Sequence, residues 1–165
     1  EEWPDISDLV ELARNLKNLN PELNLNMIIS SFIPKPNTPY QWALKANESE
    51  LQDKFNFLQQ EFDKSSINYS FSNPKRDKIS AAISRGDRRL ATVLEYVYQH
   101  NGSLESWNEF DYSGNKIPDL KWFGTRERDF NEILPWEFIN IGQTKGMLRH
   151  DLKHSLKDYY NAGCC

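Results

Sequence analysis

The chain has 165 residues, a formal net charge of -4 from 20 basic and 24 acidic side chains, and a hydrophobic fraction of 38%, lean for a self-contained domain. Acids and bases are interspersed without a basic tail or stripe, which speaks against a bulk nucleic-acid binder. No apolar run approaches the roughly 20 residues that span a bilayer, no signal peptide is evident, and the two cysteines, adjacent at Cys164 and Cys165, give no disulfide framework. A cytoplasmic setting is therefore expected. Large aromatics, five Trp among them, make up for part of the missing aliphatic core. Glu1 is not a Met and the chain stops at Cys-Cys, so it reads as a piece of something longer at both ends.

Residues 5–19 read as an amphipathic helix with Ile6, Leu9, Val10, Ala13 and Leu16 on one face, stopped by Asn20-Pro21. Residues 24–32 read as a strand whose near-continuous apolar run suggests burial on both faces, as in a parallel sheet. Residues 33–39 form a stiff loop, because Pro34, Pro36 and Pro39 fix their own φ and lack N–H donors. That stiffness suits a binding surface, or simply shapes a corner of the fold. Residues 47–64 make the clearest helix, with Asn47 as cap, Glu50 as its capping-box partner and Leu51, Phe55, Leu58 and Phe62 as its stripe. Ile67, Tyr69 and Phe71 alternate with polar residues as a half-buried strand, completing a βαβ unit expected to cross over right-handed.

Beyond Pro74 the pattern turns helical. Residues 76–84 carry Ile79 and Ile83 on one face, Gly86 suits the C-cap, and Asp87 suits the N-cap of a helix that buries Leu90, Val93, Leu94 and Val97. Asn101-Gly102 ends that helix, and Ser103 can cap a short one bearing Leu104 and Trp107. Residues 111–118 are a polar loop and the best internal boundary of this part. A less regular aromatic stretch follows, and residues 144–160 close the chain as a helix with Leu148, Leu152, Leu156 and Tyr159 in one stripe.

Familiar catalytic constellations are missing: there is no Gly-rich phosphate loop and no G-x-S-x-G elbow. His150 and His154 lie four apart on the last helix, where both face one side. No Glu stands between them as in H-E-x-x-H, so a solvated face outweighs a metal site, and His100 adds nothing. The run Arg85-Gly86-Asp87-Arg88-Arg89 is either a helix joint, with Asp87 as cap and solvated arginines, or a guanidinium clamp for an anion or carboxylate. As an integrin-type tripeptide it carries little weight. Cys164-Cys165 reads as incidental thiols or as the start of a metal knuckle whose other ligands are elsewhere.

Residues 30–42, Ser-Ser-Phe-Ile-Pro-Lys-Pro-Asn-Thr-Pro-Tyr-Gln-Trp, resemble a motif of radical S-adenosylmethionine (SAM) proteins. The likeness is to the uncharacterised branch with a cobalamin-binding-type domain ahead of the radical SAM domain, with Ile33 for valine and Tyr40 for phenylalanine. Residues 84–90, Gly102, Trp107, Leu134-Pro135-Trp136-Glu137, residues 139–142 and Leu148 are similar to later signatures of that branch, in order, so the resemblance covers about residues 27–152. Glu137 and Asp151 exchange acidic type relative to it, and Cys164-Cys165 does not reproduce its spaced C-terminal cysteines.

The resemblance implies an α/β chain. Residues 1–73 would be the last βα units of a partial TIM-like barrel, and residues 74–165 a mainly helical C-terminal extension. Ligands of such barrels sit at the C-terminal strand ends, so Ser30, Ser31, Lys35 and Thr38 would face SAM or substrate, and Arg85, Asp87, Arg88 and Arg89 would contact substrate. The whole enzyme would reduce SAM through a [4Fe–4S] cluster and generate a deoxyadenosyl radical, with cobalamin as a further cofactor the branch allows. The cluster's C-x-x-x-C-x-x-C ligands are not in this chain, which is expected to be silent alone, with the upstream part of the same polypeptide as its partner. A rival reading is a protein-docking module built on exposed Trp107, Trp122 and Trp136. A third, an RNA-contacting accessory piece, is disfavoured by the even charge balance.

Overall fold

The computed structural model describes residues 2–162, with side chains as far as Lys157. Glu1, the Tyr159 side chain and the Cys164-Cys165 pair, on which the chain-end, stripe and metal-knuckle readings bear, lie outside the described residues. Two compact units emerge: Glu1–Phe32 with Ala46–Asp77, and Ile33–Lys45 with Lys78–Cys165.

The first unit contains α1 (Trp3–Leu19), β1 (Asn26–Ile29), α2 (Glu48–Lys64) and β2 (Asn68–Phe71). The strands pair in parallel, Asn26 with Asn68 through Ile29 with Phe71, which makes the unit α/β. Helix α2 starts where local chemistry sets it: the Asn47 side chain accepts the Glu50 N–H at 2.9 Å, and the Glu50 carboxylate accepts the Asn47 N–H at 3.0 Å. Its four stripe residues, Leu51, Phe55, Leu58 and Phe62, are all buried. Ile6, Val10 and Ala13 of α1 join Leu58, Phe62 and Ile67 in one core, against which Met27, Ile29, Tyr69 and Phe71 pack. Both helices therefore cover one face of the sheet.

The expectation that β1 is buried on both faces is corrected. Ile28 is 82% exposed, and exposure alternates along the strand. Successive side chains point to opposite faces, and only one face carries a helical layer. The apolar run reflects a strand with apolar residues on both sides, one of which is bare within this unit.

The second unit takes the loop 33–45, with a 3-10 turn at Pro39–Trp42, together with most of α3 (Pro74–Arg85) and α4 (Leu90–Gln99), α5 (Ser106–Glu109), α6 (Leu120–Gly124) and α7 (Lys145–Ala162). The fully buried residues of α3 are Ala81, Ala82 and Arg85; Ile79 packs partly buried against the same core, as expected, whereas Ile83 is half exposed. The reason is a close helix crossing. A Cβ on Gly124 of α6 would stand 2.6 Å from the Ala82 nitrogen, so only small residues fit on that side of α3. Gly86 directly follows the last residue of α3, where a C-cap is expected, without taking a positive φ. It is needed because a Cβ there would strike Leu90 and stand 2.6 Å from the Ala82 carbonyl.

Asp87 acts one turn before α4 begins: its carboxylate accepts the Arg89 N–H at 2.9 Å, and its carbonyl takes the Leu90 N–H. Leu90, Val93 and Val97 are buried, but Leu94 falls on the flank and is 43% exposed, against expectation. Asn101 and Gly102, with φ of 64° and 66°, turn the chain back, and the Gly102 N–H bonds the Val97 carbonyl. Ser103 accepts the Ser106 N–H at 3.1 Å at the entry to α5. These elements enclose a core of Ala82, Leu90, Val93, Val97, Trp107, Phe110, Leu120 and Phe123. A second cluster joins Trp42, Leu134, Trp136, Leu148 and Leu152. It ends at Leu152, which leaves Leu156, expected in the same stripe, on a groove rim and partly exposed. Among the described residues no helix is long and apolar enough to cross a membrane.

Candidate functional site

In the first unit the parallel strands end side by side, and the polar residues that follow them gather on one carboxylate. Asn73 caps α3 by accepting the N–H groups of Lys75 and Arg76, at 3.0 and 3.2 Å. That cap sets Asp77 in the first turn. Asp77 Oδ2 accepts the Ser31 hydroxyl at 2.7 Å and the Ser72 hydroxyl at 2.5 Å. Ser72 Oγ in turn accepts the Ser31 N–H at 3.1 Å. Ser30, next to this knot, is exposed. Asp77 was missed by sequence reasoning; its only signal is an acid in the first turn of a helix opened by Asn-Pro.

In the second unit the proline loop is fixed from within. The Thr38 hydroxyl donates to the Lys35 carbonyl at 2.8 Å, and Asn37 takes a φ of 57°. Lys35 extends outward and donates from Nζ to Ser84 Oγ at 3.0 Å. The buried Gln41 side chain accepts the Asn37 N–H at 3.1 Å and the Trp136 indole N–H at 2.6 Å through one oxygen.

Behind this loop lies a buried arginine node. Arg85 is 0% exposed and donates to the carbonyls of Gly124 at 2.9 Å, Arg126 at 3.1 Å and Gln41 at 3.3 Å. Arg128 donates to the carbonyls of Arg85 at 2.8 Å and Phe123 at 3.1 Å, while its own N–H bonds the Trp42 carbonyl at 2.9 Å. Glu132 supplies the negative charge, meeting Arg126 and, at 2.9 Å, Arg128. Hydrogen bonding from Arg126 holds the Glu132 carboxyl below its ordinary pKa, with both guanidinium charges adding to this. Burial first, then the charges of Arg128 and Arg126, push Arg85 down to about 10. Arg126 and Arg89 stack on Trp122, at 4.5 and 5.0 Å from the ring centre.

The residues expected to bind ligands are therefore distributed as follows. Ser30 and Ser31 belong to the first unit, and Lys35 and Thr38 to the second. Of the expected guanidinium clamp, Arg85 faces wholly inward. Arg89 pairs with Asp87 at 2.7 Å and lies against Trp122, and Arg88 is exposed. The Asp87 carboxyl is lowered, chiefly by its hydrogen bonds from Arg89. Trp107 and Trp136 are buried and Trp122 is 38% exposed, so the three do not form an exposed aromatic surface. His150 and His154 lie on an exposed side of α7 with ring centroids 4.4 Å apart and tilted, and among the described residues no group of three or more His, Cys, Asp or Glu could hold a metal. A groove of about 610 Å³ in the second unit, which sequence reasoning did not find, is lined by Tyr40, Trp42, Arg128, Phe130, Leu152 and Leu156, among others. Set against known proteins, the chain matches no family model, no curated protein and no solved structure.

Proposed function

We propose that this chain is the C-terminal part of a radical SAM enzyme, in which residues 1–73 close a partial barrel and residues 74–165 form the helical extension that covers the substrate. The observation that carries the reading is the one-sided β1–α2–β2 unit. Both helices lie on one face, Asn26, Ile28, Asn68 and Ser70 stand exposed on the other, and the polar residues Ser30, Ser31, Ser72 and Asp77 gather at the C-terminal strand ends. This supports the reading because a barrel wall, with its helices outside and its ligand end beyond the strands, would share that layout.

Within this reading the bound SAM and cluster supply the reductive chemistry, and this chain orients the reactants. The fit is partial and specific. Ser30 offers an exposed hydroxyl. The Ser31 and Thr38 hydroxyls already donate to Asp77 and the Lys35 carbonyl and remain acceptors. Lys35 keeps two of its three donors beyond the bond to Ser84. Arg88 and Arg89 remain substrate-binding candidates, with Asp87 orienting Arg89, while Arg85 holds the loop rather than the ligand. The mixed aromatic and charged groove beside Trp42 suits a substrate pocket of the extension. Cluster ligands, and any cobalamin site, belong to the polypeptide ahead of residue 1.

The test begins with the coding sequence ahead of Glu1, which should hold an in-frame C-x-x-x-C-x-x-C. The extended polypeptide, purified without oxygen, should then cleave SAM reductively to methionine and 5′-deoxyadenosine. A start codon with no such motif, or an extended protein that carries the cluster and never consumes SAM, removes the enzymatic reading.

A further inference from the structure

Arg88 and Arg89 stand at the joint between α3 and α4, and the second unit brings further guanidiniums to them from the segment after α6. Arg126 lies 4.5 Å, Arg89 5.0 Å and Arg128 6.0 Å from the centre of the one Trp122 ring. Arg85 completes the group from inside, where the charges of Arg128 and Arg126 both act on it. Two carboxylates answer these four guanidiniums. Asp87 is held by Arg89, and Glu132 is shared by Arg126 and Arg128. Arg85 meets carbonyl oxygens instead. The cluster therefore keeps an excess of two positive charges, in a chain whose formal net charge is -4.

Donors are in excess as well. The Nε–H groups of Arg85, Arg126 and Arg128 are buried without an acceptor, a state that native structures usually avoid. Charge and hydrogen bonding thus fall short in the same sense: the cluster lacks anionic acceptors. Its outer side is open to supply them. The Arg89 and Arg126 side chains are 43% and 27% exposed. Arg89 commits Nε and Nη2 to Asp87 and keeps Nη1 for another partner. Arg88 is exposed and, among the described residues, has no side-chain hydrogen bond or ion pair, so all five of its donors are free.

We infer that Arg88, Arg89 and Arg126, gathered at Trp122, form a binding site for the phosphate group of a phosphate monoester. A guanidinium fork pairs two phosphate oxygens at once. A monoester phosphate carries about 1.5–2 negative charges near pH 7, which matches the excess of the cluster, whereas a carboxylate or a phosphodiester brings only one. Trp122 positions the arginines and does not serve as a platform for a flat ligand, because Arg126 and Arg89 already lie over its ring. The phosphate is therefore the recognised part of the ligand. This names what Arg88 and Arg89 would bind within the proposed function, and it rests on that reading only for calling the ligand a substrate.

The test titrates methyl phosphate, inorganic phosphate, dimethyl phosphate and acetate into the 165-residue chain and into the polypeptide extended to its natural start, followed through the arginine Nε–H signals in NMR spectra. Ionic strength is held fixed so that general screening does not vary. Methyl phosphate and inorganic phosphate should saturate, move the Arg89 and Arg126 signals, and bind about 10-fold or more tighter than dimethyl phosphate or acetate. Arg88→Gln should weaken methyl phosphate about 5-fold with the urea midpoint unchanged, because its side chain holds nothing else in the fold. Arg89→Lys, which keeps the charge and loses the fork, should weaken it too. Acetate or dimethyl phosphate binding as tightly as methyl phosphate overturns the inference. So does an absence of saturation in both polypeptides, and so does an Arg88→Gln variant that binds like the parent. An oligonucleotide without a terminal phosphate that binds more tightly than methyl phosphate also overturns it, in favour of a nucleic-acid backbone. SAM cleavage by the extended polypeptide is read separately: phosphate binding without cleavage leaves this inference standing and sinks the enzymatic reading, and cleavage without phosphate binding does the reverse.

Discussion

Arg85 donates from Nη1 to the Gly124 carbonyl across 2.9 Å, joining positions 39 residues apart. Among the described residues no carboxylate reaches its guanidinium; three carbonyls do, from Gln41, Gly124 and Arg126. The charge serves as a rigid planar fork that ends one helix, anchors the proline loop and fixes the turn after another. Removing it strands buried carbonyls, each at about 1–3 kcal/mol. Arg85→Met should destabilise the protein by about 3–5 kcal/mol in urea titration. Arg85→Lys should recover only part of that, because an ammonium cannot span three acceptors in one plane. A methionine variant as stable as the parent would show the node to be incidental.

Gly124 is set by space. A Cβ there meets backbone on two sides, 2.6 Å from the Ala82 nitrogen and 3.0 Å from the Ala81 carbonyl carbon, and backbone cannot swing away. Gly124→Ala should cost about 1–3 kcal/mol. Gly146, in the first turn of α7, has only Thr144 Oγ1 at 3.7 Å. Gly146→Ala should stabilise by about 0.5–1 kcal/mol through helix propensity alone. Thermal melts of the two variants should move in opposite directions, and a shared direction would mean that the close crossing of α3 and α6 is misdescribed.

The Glu132 carboxyl, lowered by its hydrogen bond from Arg126, gives the acid limb of stability a definite sign. A carboxylate with a lowered folded pKa binds fewer protons folded than unfolded, so its contribution is complete above the ordinary value of 4.5 and is lost as pH falls through the lower folded value. Glu132→Gln should therefore be the less stable protein at neutral pH, and the two stability curves should converge as the pH falls below the ordinary 4.5 and through the lower folded value. A difference that stays constant from pH 7 to 3 would mean that the ion pairs carry no linked proton.

What the sequence makes legible is what neighbouring residues decide among themselves. Helix α2 can be read in full, because its cap, its capping box and its stripe of Leu51, Phe55, Leu58 and Phe62 are all local. Helix α3 cannot, because its inward side is chosen by the distant Gly124, which admits alanines and turns the larger Ile83 outward. The proline loop is recognisable by its composition. Its supports are not, since Gln41 is held by Trp136 and Arg85 from segments the sequence does not place beside it. Asp77 is likewise invisible, because its partners Ser31 and Ser72 arrive only when the strands pair. Ile28 shows the converse limit: an apolar residue in a strand signals burial only if something covers that face.

The strand-end knot separates scaffold from ligand contact. Asp77 receives two hydroxyls, each such bond contributing about 1 kcal/mol, somewhat more to a charged acceptor. Asp77→Ala should lower stability by about 2–3 kcal/mol and loosen both strand ends, with faster exchange at Ser72, whose N–H bonds the Ile29 carbonyl. Ser30 is exposed beside that knot, so Ser30→Ala should leave stability within about 0.5 kcal/mol. On the proposed function it should nonetheless weaken SAM binding by the extended polypeptide, raising KM more than it lowers kcat. The pair is informative because the two roles predict opposite patterns. If Ser30→Ala costs as much stability as Asp77→Ala, Ser30 is part of the scaffold. If it changes neither stability nor SAM affinity, the ligand end of this unit is not at Ser30, and Lys35 becomes the residue to vary next.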